Sequence, residues 1–263
     1  MSEKELSIIL LDNSARERFH TLDWLSNQTV ARDRYELIWV EVHDRVVQEV
    51  KDKVDHYLTL HQVGLHHKHA GVNAGIIQAS GRIVTMCDSD AVYPPEFVQS
   101  VIDVFAVQRV ALMHYEERST ETYPDGQTTI EEIKGHSFSC WPNVGACNSV
   151  LRRDAIGFGG IDEHESYMGI LAGQNELLWR MINSGVPEVW HELHIYHFRH
   201  PGSDGQANAT ERHPSSRDYE MHNATAVEAF REGRLLPLVE NAEIHRLRME
   251  QRIIGTDFER KYA

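Results

Sequence analysis

Four short apolar runs, separated by segments with helical patterns, are the feature of this sequence that most constrains its fold. They read LSIILL (6–11), YELIWVEV (35–42), HYLTLHQV (56–63) and RIVTMCD (82–88). Continuous apolar runs of this length are typical of parallel strands that are buried on both faces of a sheet. The alternation of strands and helices therefore predicts an α/β fold with a mostly parallel sheet flanked by helices.

The segments between the apolar runs favour helices. Phe19, Leu22 and Leu25 lie at helical spacing after the first run, and a second, short helix is predicted over residues 45–54. A third is predicted over 71–80, with Gly81 as its C-cap, and a fourth over 94–106, where proline stands at the start. Each predicted strand in this half is thus followed by a predicted helix.

The second half of the chain has a different pattern. Residues 109–133 predict two strands joined by a turn at the sequence PDG, and residues 145–163 predict a Gly-rich loop around a short helix. A helix over 175–185, ended by Gly185, precedes a strand over 188–198. The predictions for the rest of the chain are a mobile loop over 202–218 and helices around 218–232 and 240–253.

Composition narrows the class of protein. The net charge is −14, which argues against a nucleic-acid-binding protein because phosphate contacts need clustered Lys and Arg. No apolar run approaches the length of a membrane span, and the charged start MSEKEL does not fit a signal peptide. The three cysteines have no CxxC spacing, which suits a reducing compartment. These observations predict a cytoplasmic protein.

Asp88 and Asp90 follow the fourth predicted strand directly, with only Ser89 between them. In open α/β sheets, ligands bind beyond the carboxyl ends of the strands, which is where these acids are predicted to lie. Two carboxylates this close repel each other unless a cation lies between them, and Mg²⁺ and Mn²⁺ prefer such oxygen ligands. A solvated, aspartate-rich turn is an equally good interpretation of these three residues alone.

The sequence around the two aspartates resembles that of family 2 glycosyltransferases, which have the GT-A fold. The stretch HKHAGVNAGIIQASGRIVTMCDSDAVYPPEFV resembles the family's Asn-containing helix, strand and Asp-x-Asp motif. GACNSVLRRDAIGFGGIDE resembles its acceptor-side segment, although Ile161 replaces an aromatic residue there. GQNELLWRMINSG and IYHFRHPG resemble, in order, the helix of the acidic catalytic motif and the strand end that supplies a metal-binding histidine. The resemblance spans roughly residues 6–202.

The resemblance implies roles for particular residues. Asp90 would bind the metal, Asp88 would contact the metal or the donor ribose, and His197 and His200 compete to be the third metal ligand. Glu41 stands where many relatives have an acid that contacts the nucleotide base. The residues expected to bind the donor are Asp12, Glu41, Lys68, Asn73, Asp88 and Ser89.

The sequence departs from the family pattern at the expected general base. Inverting enzymes need a base to take the proton of the acceptor hydroxyl, but the positions of the family's Glu-Asp pair hold Gly173 and Gln174. The nearest acid, Glu176, is a candidate base, and it could instead pair with Arg180 at i,i+4. Asp162 is an alternative, as are the neighbouring acids Glu163 and Glu165. A retaining mechanism, which needs no such base, also stays open.

The resemblance also implies a division of the chain. Residues 1–202 would form one GT-A catalytic domain, with a nucleotide-binding half (1–108) and an acceptor half (109–202), followed by a flexible loop and C-terminal helices over 203–263. The loop could close over the donor as a lid or serve only as a linker. Among the tryptophans of the acceptor half, core packing is expected for Trp179 and Trp190, whereas Trp141 could stack on a sugar.

The predicted function is transfer of a sugar from a nucleotide-diphosphate donor to a hydroxyl acceptor, with Mn²⁺ or Mg²⁺ as cofactor. A UDP- or GDP-sugar is the expected donor, and the acceptor could be a small molecule, a glycan or a lipid-linked glycan at a membrane surface. The alternatives are a nucleotidyltransferase and a non-catalytic nucleotide-sugar-binding protein. The absence of glycine from LLDNSARERF counts against the first, and the missing Glu-Asp pair is the best support for the second.

Overall fold

A mixed β-sheet forms the centre of the structure, a computed structural model that describes residues 4–63, 67–164, 167, 175–200, 228, 231–234 and 237–251. Over these residues the sheet has nine strands: β1 (Leu6–Asp12), β2 (Tyr35–Glu41), β3 (His56–Thr59), β4 (Ile83–Asp88), β5 (Ala91–Val92), β6 (Ala111–Thr122), β7 (Ser139–Trp141), β8 (Cys147–Leu151) and β9 (Glu188–Arg199). Their order is β3-β2-β1-β4-β8-β6-β9-β5, and β7 pairs with β6.

The first four strands run parallel to one another, as the sequence predicts. In the register of β1, Leu11 lies opposite Asp88 of β4, and Asp12 lies opposite Glu41 of β2. The strands β8, β7 and β5 join antiparallel to their neighbours, whereas β9 runs parallel to β6. The carboxyl ends of β1, β2 and β4 therefore bring three acids to one edge of the sheet.

Helices cover both faces of the sheet. Those of the described residues are α1 (His20–Ser26), α2 (Gln48–Lys51), α3 (Lys68–Gln78), α4 (Phe97–Val107), α5 (Ile130–Lys134), α6 (Arg152–Gly157), α7 (Asn175–Asn183) and α8 (Ala242–Glu250), with a 3₁₀ turn at Arg32–Arg34. Alternate residues of β1 pack into two different hydrophobic cores: Ile8 and Leu10 in one, with Trp39 and Phe97, and Ile9 in the other. This alternation is why the apolar run of β1 is unbroken.

The predicted hairpin over residues 109–133 is wrong in its second half. β6 ends at Thr122, and the predicted second strand is instead the short helix α5. Its N-cap is Thr129, whose hydroxyl accepts a hydrogen bond from the backbone of Glu132, while the Glu132 side chain accepts one from the backbone of Thr129. This capping box satisfies N–H groups that the first turn of a helix leaves unpaired, and it outweighs the strand propensity of the threonines.

Both ends of α3 also differ from the prediction. α3 starts at Lys68, not at residue 71, and ends at Gln78 with Ala79 as its C-cap. Gly81 is therefore not the C-cap. A Cβ atom at Gly81 would lie 2.7 Å from the backbone of Leu6, so the glycine permits close packing of the chain against β1.

The Gly-rich segment 145–163 contains a strand that its sequence pattern does not predict. β8 fills residues Cys147–Leu151 and lies between β4 and β6, and all five of its residues are buried. The run CNSVL is too short and too polar to stand out by pattern. α6 follows this strand directly, which agrees with the short helix predicted there.

The C-terminal helix α8 packs against α6, and Ile244 is fully buried in one of the two hydrophobic cores. The predicted helix over 240–253 is thus present, and it contributes to the core of the sheet. The predicted loop over 202–218 and most of the predicted helix over 218–232 lie outside the described residues. Where the structure is described, every helix is too short or too polar to cross a membrane.

Three histidines, of which His69 and His114 are buried and His20 is half-buried, predict that the stability of the protein depends on pH. Burial lowers the pKa of His20 and of His69 to about 4 and that of His114 to about 3. The pKa of histidine in the unfolded chain is roughly 6.5. Below that pH each of these histidines is protonated in the unfolded chain but stays neutral in the native protein, so acid favours unfolding. Lowering the pH from about 7.5 to about 5.5 should therefore reduce the free energy of unfolding by roughly 1 kcal/mol for each such histidine.

The measurement is urea unfolding of the protein at several pH values. His114→Gln should flatten the slope of unfolding free energy against pH, whereas His245→Gln, at an exposed site on α8, should leave the slope as it is. Equal slopes in the wild type and His114→Gln would show that His114 is not held neutral by burial.

Candidate active site

The two carboxylates of the Asp-x-Asp motif have different partners. β4 ends at Asp88, whose carboxylate accepts a hydrogen bond from Lys68 Nζ at 2.8 Å. Asp90 lies after the turn that leads into β5, and only 5% of its surface is exposed. The two negative charges therefore do not share one cation: Asp88 pairs with Lys68, and Asp90 pairs with Arg16.

Asp90 lies against two histidines and an arginine. Asp90 Oδ2 is 2.8 Å from His200 Nε2, 3.5 Å from His197 Nε2 and 2.8 Å from Arg16 Nη2. The pairing of β5 with β9 places Ala91 opposite His197, and this register brings the end of β9 to the acid. One carboxylate oxygen and one nitrogen from each ring lie within 4.8 Å of one another, so these three residues could hold a metal ion.

Neighbouring positive charge keeps Asp90 ionised, which is the state in which a carboxylate can bind a metal ion. Burial opposes ionisation of Asp90, but Arg16 and His197 outweigh it and hold its pKa well below the usual range. Burial likewise disfavours protonation of His197, yet the carboxylate of Asp90 outweighs it and raises the pKa of that ring. Among the described residues, Asp90 Oδ1 is buried without a hydrogen-bond partner. A buried carboxylate oxygen without a partner is costly, and a bound cation would remove that cost.

A pocket opens beside Asp90 and carries several cationic side chains. The residues that line it are Ala15, Arg16, Glu17, Arg18, His20, Asp90, Thr122, Tyr123, Phe198, Arg199 and His200. The ring of His20 stacks on Tyr123 at 4.0 Å, and its Nε2 lies 3.0 Å from the carbonyl oxygen of Asp90. Arg16 and Arg18 pair with Asp90 and Asp125, so the pocket concentrates arginine beside acids in a chain with a net charge of −14.

The acids at the ends of β1 and β2 form a second polar group at the same sheet edge. Asp12 pairs with Arg45 and accepts hydrogen bonds from the backbone of Ala15 and Arg16. Glu41 accepts hydrogen bonds from the Ser14 hydroxyl at 2.6 Å and from the His43 backbone at 2.9 Å. Burial raises the pKa of Glu41, and its Oε2 has no hydrogen-bond partner among the described residues. This oxygen lies 3.8 Å from Arg45 Nε, so Arg45 is the ionic partner of both Asp12 and Glu41.

Two further predicted donor-binding residues are engaged with the protein itself. Ser89 donates a hydrogen bond to the carbonyl of Leu11 at 2.5 Å, which joins the motif to the end of β1. Lys68 bonds to the carbonyl of Gly145 at 3.3 Å as well as to Asp88. Both side chains lie at the predicted sheet edge, and their roles in donor binding stay predictions.

Asn73 lies away from that edge and connects α3 to the acceptor-side segment. Its Nδ2 donates to Ile161 O at 2.8 Å and to Glu163 at 2.9 Å, and its Oδ1 accepts from Ile161 N at 2.8 Å. Gly160, with φ of +69°, precedes this contact, and a Cβ atom there would come within 2.5 Å of Asn73 Oδ1. These contacts support a structural role for Asn73 and give no support to its predicted role in donor binding.

The two candidate bases that the sequence indicated also hold the acceptor-side segment together. Glu176 forms a buried, bidentate pair with Arg180, and its Oε2 accepts a hydrogen bond from Asp162 N at 3.0 Å. Asp162 accepts hydrogen bonds from the backbone of His164, Leu238 and Val239 at 2.7–3.0 Å. The i,i+4 pair of Glu176 and Arg180 is present, but it is buried rather than on the helix surface. Both carboxylates therefore have their oxygens engaged with protein donors.

The structure adds a carboxylate that the sequence analysis did not consider. Glu116 on β6 is buried; its Oε2 accepts hydrogen bonds from Arg118 at 2.7 Å and Asn143 at 2.8 Å, and its Oε1 has no partner among the described residues. Burial lowers the pKa of His197, Asp90 outweighs that effect and raises it, and the charge of Glu116 raises it further. Only the pairing of β6 with β9 brings it near the Asp90 cluster, so no local sequence signal could have identified it.

The tryptophans of the acceptor half differ in their exposure to solvent. Trp141 is 53% exposed and lies opposite Glu116 in the pairing of β7 with β6. Trp179 is 49% exposed, so its predicted core packing is wrong, whereas Trp190 packs partly buried against the core. Glu165, Gly173 and Gln174 lie outside the described residues.

The comparison with protein families matches residues 21–158 to the family described as Glycosyl transferase family 2. The match covers 138 of the 263 residues, slightly more than half of the chain. The chain matches no curated protein at a significant level.

Solved structures with a similar fold include the crystal structure of S. aureus TarS 1-349. Its TM-score is 0.56 at 12% sequence identity, over 98% of this chain and 72% of that chain. The complex of TarS 1-349 with UDP-GlcNAc has a TM-score of 0.57 at 11% identity, over 97% of this chain and 73% of that chain. The chain spans 43% of the TarS structure of greater length. The likeness confirms the predicted GT-A fold.

Proposed function

The chain belongs to glycosyl transferase family 2, and from this premise we propose that it transfers a sugar from a nucleotide-diphosphate donor to a hydroxyl acceptor with the help of a divalent cation. The observation that carries the proposal is the cluster of Asp90, His197 and His200 at the carboxyl edge of the sheet. A cluster of this kind, next to an arginine-lined pocket, suits a ligand that brings negative charge to a metal ion.

The proposed cofactor is Mn²⁺ or Mg²⁺, which Asp90, His197 and His200 would hold. The partnerless Oδ1 of Asp90 supports this fit, and so does the position of Asp88 within the same turn. Two imidazole ligands favour Mn²⁺ over Mg²⁺, because Mg²⁺ prefers an all-oxygen environment. When bound, such an ion would neutralise negative charge on the diphosphate leaving group.

The chain's own residues would position the donor around this cluster. Arg16 and Arg18 would contact the phosphates, because both line the pocket beside Asp90. Glu41, whose Oε2 at the end of β2 accepts no hydrogen bond from the described residues, would accept one from the base, and Asp88 would contact the ribose. Asp12 would orient Arg45 and the backbone at the start of this loop.

A UDP-sugar is the proposed donor and a GDP-sugar the alternative. The similar fold of TarS 1-349 has been solved with UDP-GlcNAc and with UDP, which supports uridine as the first base to test. The exposed Trp141 would stack on an acceptor sugar, because aromatic faces bind the apolar face of sugar rings. The proposed acceptor is therefore a glycan, either free or lipid-linked. The proposed site of the reaction is the cytoplasm.

Three carboxylates compete for the role of general base. Glu176 and Asp162 follow from the sequence, but both have their oxygens engaged with protein donors. Glu116 has a buried Oε1 without a partner among the described residues, and it lies on the same face of the sheet as Trp141 of β7 and His197 of β9. We therefore propose Glu116 as the first candidate to test.

A thermal-shift experiment tests donor binding directly. UDP-, GDP-, dTDP- and CDP-sugars are added with and without Mn²⁺, and one of them is expected to raise the melting temperature only when Mn²⁺ is present. At a ligand concentration of about 100 times the Kd, the stabilisation is about 2.7 kcal/mol, which is a rise of several degrees for a chain of this size.

The outcome also separates the alternatives. Stabilisation without transfer or hydrolysis of any sugar would favour the nucleotide-sugar-binding protein. A preference for free nucleoside triphosphates over all nucleotide sugars would favour the nucleotidyltransferase. If neither kind of ligand stabilises the protein, the proposed donor site is wrong.

A further inference from the structure

A second group of metal-ligating side chains lies on the opposite face of the strand that carries His197. In the register of the sheet, Glu117 of β6 lies opposite Cys140 of β7 and opposite Tyr196 of β9. His194 comes two residues before Tyr196 on β9 and therefore shares its face. Three strands thus bring a carboxylate, a thiol and an imidazole together, whereas His197 points to the Asp90 side.

The side chains are close enough to share one ion. A carboxylate oxygen of Glu117, the sulfur of Cys140 and a ring nitrogen of His194 lie within 4.8 Å of one another. His194 Nδ1 and Glu117 Oε1 are 2.7 Å apart, so the imidazole and the carboxylate already face each other. His194 also packs against the ring of Tyr115 at 5.2 Å, which restricts its orientation.

The chemistry of these ligands differs from that of the Asp90 cluster. A thiolate is a soft ligand that selects Zn²⁺ over Mg²⁺ or Mn²⁺, and a Cys, a His and a Glu are all common ligands of zinc. Three protein ligands leave one position of a tetrahedral zinc ion open to water. Cys140 is exposed, so an ion can reach the site from solvent.

We propose that Glu117, Cys140 and His194 form a Zn²⁺ site that joins β6, β7 and β9. Its role would be to fix β7, an exposed edge strand of three residues that pairs only with β6 among the described strands. β7 also carries Trp141, whose side chain points to the other face. A zinc ion on one face would therefore hold the acceptor-side aromatic residue in place on the other. The site itself does not depend on the proposed sugar transfer.

The test uses Co²⁺ as a spectroscopic substitute for Zn²⁺ on the full chain. A thiolate bound to Co²⁺ gives a charge-transfer absorption that oxygen and nitrogen ligands do not give. Cys87 and Cys147 are buried and face each other at 3.6 Å between their sulfurs, so only Cys140 is available to an added ion. The wild type should show this band at one equivalent of Co²⁺, and Zn²⁺ should remove it.

Matched variants separate this site from the rest of the chain. Cys140→Ser should abolish the band, His194→Gln should weaken Co²⁺ binding at least tenfold, and Asp90→Asn should leave the band unchanged. A second measurement is alkylation of Cys140 by iodoacetamide, which Zn²⁺ should slow at least tenfold in the wild type. Alkylation at the same rate with and without Zn²⁺, or a band that survives in Cys140→Ser, would overturn the proposal.

Discussion

Replacing Asp90 by Asn is expected to reduce sugar transfer by roughly 1,000-fold, because several kcal/mol of charge stabilisation at the leaving group would be lost with the metal. Asp90 is the acid that both histidines of the cluster contact, so no neighbouring carboxylate can replace it. The measurement is the steady-state rate with the donor found by thermal shift, at several concentrations of Mn²⁺. The variant should also lose the Mn²⁺-dependent stabilisation by that donor.

Two comparisons make this prediction specific. Asp103→Asn, at an exposed position on α4, should behave as the wild type does, because it changes the same charge far from the cluster. Asp88→Asn should cause a smaller loss than Asp90→Asn, since Asp88 pairs with Lys68 and not with the histidines. Urea unfolding shows whether each variant is folded. Full activity of a folded Asp90→Asn variant would exclude Asp90 as the metal ligand.

The second large effect is expected for Glu116→Gln. If Glu116 takes the proton of the acceptor, the amide should lower kcat by roughly 100- to 10,000-fold and leave the affinity for the donor as it is. The amide can still accept the hydrogen bonds of Arg118 and Asn143, so the local structure should hold. Glu121→Gln, an exposed residue farther along β6, is the matched control.

The same assay decides between Glu116 and the sequence-predicted base. Glu176→Gln should lower the free energy of unfolding by roughly 3–5 kcal/mol, because it leaves buried Arg180 without its ionic partner. Its kcat should change little wherever the variant is folded. The opposite result, with kcat lost in Glu176→Gln and retained in Glu116→Gln, would identify Glu176 as the base. Retention of kcat in both would leave Asp162 as the base or favour a mechanism that needs no base.

The parallel half of the sheet was predictable because its signals are local. An unbroken apolar run such as LSIILL has few stable solutions other than a strand buried on both faces. The predictions failed where the signals are short or compete: α5 depends on a capping box between Thr129 and Glu132, and β8 is a five-residue run that only its neighbours bury. A pattern of residue types cannot show which strands will flank such a segment.

The sequence by itself determined that the acids at the ends of β1, β2 and β4 lie at one edge of the sheet, since the carboxyl ends of parallel strands meet there. The resemblance to family 2 glycosyltransferases also indicated Asp90 as a metal ligand, with His197 and His200 as competing candidates for the third ligand. Only the tertiary structure decided that Asp88 faces Lys68, that Glu176 is bound to Arg180, and that Glu116 lies near His197. The reason is physical: a side chain's partners depend on contacts between strands far apart in the chain, which residue spacing does not encode.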